Sequence, residues 1–393
     1  MKTIKNVKGV ETKIFAETFE FEAYDQVKKL CNFEAYQDSK IRIMPDAHAG
    51  KGCTVGTTMT ITDKVTPNLV GVDIGCGMLT ILLNDKEIDL ERLDTVINLK
   101  VPHGFNVHPE PIAKFDLSDL RCQKHVDLGR AVQSIGSLGG GNHFIELAKS
   151  TTGIFHLVIH SGSRKLGGDV CKYYQNKAFQ NANEITKAKG ILIHTLTEQG
   201  RQKEIAVELK KLKKPSASKD LAYLTGQDFD DYMHDMYLVQ QYAGVNRDSI
   251  AEIIIKEMGF KEMTRHDTIH NYIDFNRMIL RKGAVSAEYG KILTIPINMR
   301  DGSLICEGKG NPDWNYSAPH GAGRLMSRSK AKELLSMDAF KDTMKDVYST
   351  SVVPETLDEA PDAYKSIEEI MAAIVDTVKV IAIIKPVYNF KSH

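Results

Sequence analysis

The chain carries no excess of charge of either sign, because its 51 Lys and Arg are matched by 51 Asp and Glu. That balance argues against a protein that holds nucleic acid by bulk charge, since such binding rests on many cations neutralising phosphates. It leaves room for a local basic patch, or for metal ions that supply the positive charge. Cysteine is sparse. Cys31, Cys53, Cys76, Cys122, Cys171 and Cys306 are scattered, with no CxxC pair and no dense framework, so a disulfide scaffold is not indicated. The opening MKTIKNVKGVETKIFAETFEFEAYDQ mixes charges throughout and has no apolar signal region. No segment reaches the roughly 18 uncharged apolar residues of a membrane span. A reduced, soluble, cytoplasmic protein without a membrane partner is expected. The chain also lacks an internal repeat, a low-complexity linker, an HExxH pair and a GxGxxG after a first strand.

What is present is ample material for a core, with 42% hydrophobic residues in 393. Residues 1–40 read as a short strand and then an amphipathic helix around EAYDQVKKLCNF. Residues 41–84 read as strands broken by glycine. Residues 170–213 are polar, Lys-rich and helix-favouring up to a break at Pro215, and 227–258 carry apolar residues at helical spacing. Residues 264–308 return to strands. The tail reads as a helix, a strand and a Pro-containing end. Strands and helices do not alternate regularly, which disfavours a doubly wound sheet. An α+β fold is expected, with a helical protrusion at about 170–225.

Five apolar strands are expected to end in clusters of Gly with His, Asp, Cys or Asn: MPDAHAGKG, GVDIGCGM, GGGNHF, VIHSGSR and the short APHGAGR turn. A strand fixes a ligand, and glycine beside it lets a phosphate or ligand approach the backbone. Asp73 and Cys76 sit three residues apart, so a turn there could aim a carboxylate and a thiolate at one ion. His143, His160 and His270 lie in separate segments. Each has a plain alternative: a hydrogen-bonded histidine, a turn aspartate, a buried cysteine acting as a small hydrophobe. GGGNHF and HGAGR could cradle phosphate through backbone N–H groups, or be ordinary turns. Arg164, Arg324 and Arg328 could clamp phosphate oxygens, or form surface salt bridges.

Seven of these segments in order resemble the RtcB family of RNA ligases: MPDAHAGKG (44–52), GVDIGCGM (71–78), GGGNHFIEL (139–147), HSGSR (160–164), HNY (270–272), HGAGRLMSR (320–328) and KPVYNFK (385–391). DYMHDMYLVQQYAGVNR (231–247) and DEAPDAYK (358–365) fit as well, and the resemblance runs from about Met44 to the end. It implies one catalytic domain over 1–393, with mixed sheets around a central metal and nucleotide cleft. It implies two manganese ions with Cys76 between them, Asp73 and His143 completing one site, His160 and His270 the other. Ligand chemistry alone suits zinc at least as well, so manganese comes from the family. By the same resemblance His320 attacks GTP and carries GMP. Asp46 orients it or handles a proton, or is a turn aspartate. Asn142, Phe144, Glu146, Ser303, Ala322, Gly323, Tyr364 and Lys391 form the guanylate pocket, and Arg164 holds substrate phosphate. The implied substrates are RNA 3′-phosphate or 2′,3′-cyclic phosphate ends and 5′-hydroxyl ends, in repair or tRNA splicing. A monomer is expected, with a helper protein as a further partner.

The chain departs from the common family pattern in places. INMRDGSL (297–304) replaces a Gly-Ser-Met-Gly stretch and puts Asn298 and Arg300 in a loop expected to touch the nucleotide. Pro319 precedes His320 and biases Ala318 towards an extended backbone. The chain is also shorter than many members. Two other readings stand beside the ligase: a metal-dependent phosphoesterase that opens cyclic phosphates without joining ends, and a non-catalytic RNA-binding protein. Neither needs His320, Asn142, Tyr364 and Lys391 together.

Overall fold

The computed structural model describes residues 2–212 and 218–392, and of 184–187 the backbone alone. Two large sheets dominate. One has six strands in the order Lys2–Lys5, Glu11–Ile14, Ile41–His48, Val55–Thr60, Ile279–Lys282 and Asn271–Asp274. The other has seven, in the order Glu262–Ile269, Gly77–Leu83, Phe155–Ser161, Phe144–Ser150, Val378–Lys391, Gly302–Gly308 and Ile292–Asn298. Among the described residues, the only parallel pairing between strands of these two sheets is that of Glu11–Ile14 with Ile41–His48. The expected α+β class is therefore what the chain adopts, since antiparallel sheets need no helical crossovers.

The 32-residue helix Gln227–Met258 joins the two halves. Its first part buries Tyr232, Met236, Val239 and Tyr242 against the core beneath the six-stranded sheet. Its last part places Ile250, Ala251 and Ile254 against Ile81, Leu157 and Ile159 of the seven-stranded sheet. The apolar spacing at 227–258 fits this double burial, and Gly259 ends the helix in the left-handed region at φ +72°.

The helix expected at 170–213 begins earlier, at Arg164, and runs to Glu198; a second, Ile205–Lys211, follows. HSGSR thus leads straight from a strand into a helix. The break at Pro215 lies outside the described residues. In the tail, Pro386 falls inside the strand Val378–Lys391 rather than after it. A register shift between Pro386 and Tyr388 accommodates the missing N–H, as bulges do. Ala318 is extended, as Pro319 demands, and pairs with Val285.

Candidate active site

Two of the glycine clusters stand at strand beginnings, not ends. Cys76 precedes Gly77–Leu83, His143 precedes Phe144–Ser150, and His160 lies near the end of Phe155–Ser161. Antiparallel pairing reconciles the two. Gly77 faces Ser161, and Met78 and Phe144 both face His160, so beginnings and ends meet at one edge of the sheet. His270 follows Glu262–Ile269 on the neighbouring strand, and its N–H donates to the Cys76 carbonyl at 2.9 Å.

This edge gathers the five expected ligands. Cys76 Sγ is 3.4 Å from Nε2 of both His143 and His160, and His143 Nε2 is 3.1 Å from Asp73 Oδ2. Cys76 belongs to two groups at once, one with His160 and His270, the other with Asp73 and His143. The Nδ1 atoms of His143 and His160 face the carbonyls of Leu138 (2.9 Å) and Asn142 (3.2 Å). Those carbonyls only accept, so each Nδ1 carries the hydrogen and each Nε2 turns to the sulfur. One thiol hydrogen cannot serve two such nitrogens, whereas a cation among the donors satisfies them all. The His270 Nδ1 is also buried without a partner. The donor set fits metal.

Electrostatics agree. Burial, and then the charge of Asp73, push the Cys76 thiol well above its ordinary value, so a thiolate there requires a cation beside it. Burial alone would raise the Asp73 carboxyl, but its contacts with His143 and the Ser163 amide hold it well below the usual range. Burial and neighbouring histidines hold His160 and His270 well below theirs, in the neutral form that ligates.

Backbone clamps fix the donors. Arg247, 1% exposed, donates to the carbonyls of Gly75 (2.7 Å) and Ser161 (3.0 Å), next to Cys76 and His160, and pairs with Asp267. Asn246 accepts from the amides of Gly136 and Ser137 and donates to the Gly162 carbonyl. Gly162 has no room for a side chain, since a Cβ would lie 2.3 Å from the Asp73 carboxylate.

His320 stands beside this cluster, with its ring 4.9 Å from that of His270. Asp46 is fully buried, and its Oδ2 accepts from the His320 amide (3.1 Å) and from Nδ1 (2.6 Å). The Nδ1 hydrogen is thereby committed, and Nε2 is left with its lone pair free. Gly323, at φ +75°, lets its turn pass over Asp46, because a Cβ would meet the Asp46 carbonyl at 2.3 Å.

His320, His48 and Asn142 line two adjoining cavities. One holds Asp73, Cys76 and His270 in its wall. The other is lined by all the expected pocket residues: Asn142, Phe144, Glu146, Ser303, Ala322, Gly323, Tyr364 and Lys391. Burial pushes the Glu146 carboxyl up to about 8, only partly offset by Asn389 and Lys391. Its Oε2 accepts from Asn389, while Oε1 and the Ser303 hydroxyl are buried without partners. Such orphaned polar atoms, lining a cavity, fit a ligand with complementary polar edges.

Arg164 stands off both linings. Its guanidinium donates to Ser137 Oγ (3.1 Å) and to the Gly104 carbonyl (3.0 Å). Arg324 and Arg328 do line the second of these cavities, but they are engaged with Asp358 and Glu359. In the INMRDGSL loop Asn298 and Met299 line that cavity, whereas Arg300 pairs with Asp301. Sequence reasoning passed over His48, which lay within the quoted PDAH motif. It also missed Glu359, which gathers Lys391 (2.6 Å), Tyr364 (2.8 Å), Arg324 and Arg328.

A cluster of thiol, imidazole and carboxylate donors opening beside a polar cleft, with an oriented imidazole at the junction, has the layout of an enzyme centre. The model of one family, described as tRNA-splicing ligase RtcB, matches residues 26–127 and 113–392. The chain is 31% identical to the RNA-splicing ligase RtcB of Escherichia coli K12, over 89% of this chain and 90% of that protein. It is 24% identical to the tRNA-splicing ligase RtcB of Aeropyrum pernix, over 95% and 93%. The chain belongs to the RtcB family.

Proposed function

We propose that the protein is a GTP- and manganese-dependent RNA ligase working through a histidine–GMP intermediate. The observation that carries this reading is the position of His320, whose Nδ1 is held by buried Asp46 at the junction of the two cavities. Relatives named RNA-splicing and tRNA-splicing ligases support RNA as the substrate class.

Neutral His320 Nε2 attacks the α-phosphorus of GTP; the N–P bond forms, the α–β bridging P–O bond breaks and pyrophosphate leaves. Asp46 stabilises the positive charge that develops on the ring and keeps the reactive nitrogen aimed. An oxygen of an RNA 3′-phosphate then attacks the same phosphorus. The N–P bond breaks, His320 is restored and the RNA end carries GMP. The 5′-hydroxyl of a second RNA attacks the RNA phosphorus, the new phosphodiester forms and GMP leaves. A 2′,3′-cyclic phosphate is first opened by water. Asp73, Cys76, His143, His160 and His270 would hold the two ions, which neutralise charge on the reacting phosphates when bound.

In the pocket, Glu146 gives up its proton as guanine binds and then accepts from the N1–H and amino edge, and Ser303 offers a second contact. Lys391 and Tyr364, set by Glu359, flank the nucleotide. Asn142 and Arg164 serve the phosphates. Action as a monomer in the cytoplasm, with a helper protein aiding turnover, belongs to the same reading.

The test is incubation with α-labelled GTP and manganese without RNA, followed by denaturing electrophoresis, beside an ATP competitor and His320→Ala. An acid-labile label on the wild type alone is expected. No label on protein shown to carry metal would overturn the ligase in favour of a phosphoesterase.

A further inference from the structure

The loop at 102–106 carries an aromatic ring that the reaction has not used. Phe105 is 93% exposed, more than any other large hydrophobic side chain among the described residues. Exposure of this kind usually marks a slack loop, but here the backbone on both sides is pinned. The Gly104 amide donates to the Gly139 carbonyl (2.9 Å), and Leu138 N–H to the Pro102 carbonyl (2.8 Å). Arg164 holds the Gly104 carbonyl, and Arg130 holds that of Phe105 at 2.6 Å. The His103 ring packs edge-on against Phe390, next to Lys391. The backbone that carries the Phe105 ring is therefore held while the ring stands open to water, which costs free energy unless something covers it.

Its surroundings say what that is. Gly104 lies against Gly139 and Gly140, which lead through Gly141 to Asn142, one of the three residues common to both cavities. The run is bare: Gly140 is part-exposed, Gly141 and Asn142 are exposed, and a Cβ on Gly141 would meet nothing within 4 Å. A strand of nucleic acid can approach the backbone there. The two guanidinium groups on the loop, Arg130 and Arg164, bind its carbonyls and form no ion pair with any carboxylate among the described residues. Arg164 lies flat beneath Gly139, where a side chain at 139 would strike its Nη1. A π-face beside two arginines that form no direct salt bridge, at the end of a glycine path to the centre, suits an unpaired nucleotide. Bases stack on aromatic rings irrespective of sequence, and the adjoining phosphates find the cations. An apolar protein segment would leave both arginines uncompensated.

We propose that Phe105 is a stacking platform for an unpaired nucleotide near the RNA end being joined, with Arg164 and Arg130 attending its phosphates. The proposal rests on the ligase reading for the identity of the substrate, and it explains why Arg164 stands off the two cavities.

The experiment uses the full-length protein with Phe105→Ala, Phe105→Leu and Phe105→Trp. The probe is a short single-stranded RNA with a 3′-phosphate and 2-aminopurine near that end, whose fluorescence is quenched on stacking. Ala and Leu should each raise the dissociation constant and the ligation KM roughly five- to a hundredfold, with quenching lost and kcat little changed. Trp should retain both. An unaltered thermal transition and unchanged GMP attachment without RNA would show that the centre is intact. Wild-type quenching and KM in the Ala variant would overturn the platform. Rescue by Leu would overturn it too, in favour of an apolar protein contact. Failure of the ligase reading would show separately, as wild type that takes no GMP, and the fluorescence titration would still decide whether Phe105 stacks RNA.

Discussion

Arg247→Leu tests whether the long helix holds the donor cluster in place. The guanidinium has three duties: it pairs with Asp267 through two nitrogens, and it donates to the carbonyls of Gly75 and Ser161. Leucine removes all three. Asp267 is 37% exposed, so water recovers part of its solvation. The two carbonyls lie in the packed core and lose charge-assisted donors without replacement. Breaking a fully buried pair costs about 3–5 kcal/mol, and the exposure of Asp267 puts this case at about 3 kcal/mol. Because Gly75 adjoins Cys76 and Ser161 adjoins His160, the same change should loosen metal binding. Arg247→Lys keeps the charge but not the planar fork, and it should recover part of each loss. Urea unfolding of metal-free protein reads the first effect, and manganese titration under folding conditions reads the second. A Leu variant destabilised by less than about 1 kcal/mol, or one that binds manganese like wild type, would refute the clamp.

Four further outcomes follow from the site. Asp46→Asn should slow GMP attachment on the order of a hundredfold or more while metal content stays unchanged; a wild-type rate would remove Asp46 from the reaction. Cys76→Ala should empty both metal positions, and full occupancy by elemental analysis would contradict the shared role. Glu146 binds its proton in the folded state up to about 8 but releases it near 4.5 when unfolded, so the stability of ligand-free protein should fall as pH rises between those values. Glu146→Gln should lose that slope in thermal melts at pH 5 and 8, and an unchanged slope would place the raised group elsewhere. Lys391→Met should weaken GTP use far more than metal binding; unchanged GTP dependence would take Lys391 out of the pocket.

The fold class could be read from irregular alternation alone, and 227–258 could be read as a helix from its apolar spacing. The site was legible in a different way. No single histidine announced a ligand, and only the ordered motifs joined Cys76 to residues as distant as His270. Their meeting depends on antiparallel register, with Gly77 opposite Ser161 and Phe144 opposite His160, which no local pattern encodes. Arg247 and Glu359 were harder. Each acts through partners remote in sequence, Gly75 for one and Lys391 for the other, and a lone charged residue in a helix or loop reads as solvated surface. Arg164 illustrates the converse, since its motif is plain but its guanidinium turns to a loop and away from the cavities.

The strand Val378–Lys391 enters the middle of the seven-stranded sheet, between Phe144–Ser150 and Gly302–Gly308. Both neighbours are made earlier during synthesis. Until the closing strand arrives, each presents an unpaired row of N–H and C=O groups, and the pocket has neither Lys391 nor its floor. The growing chain therefore carries one open sheet edge from Ser150 onward and a second from Gly308 until the closing strand is made, a state prone to wrong pairing between nascent chains. Insertion of one strand ends that exposure and brings Asn389 and Lys391 into the cavity wall in the same event.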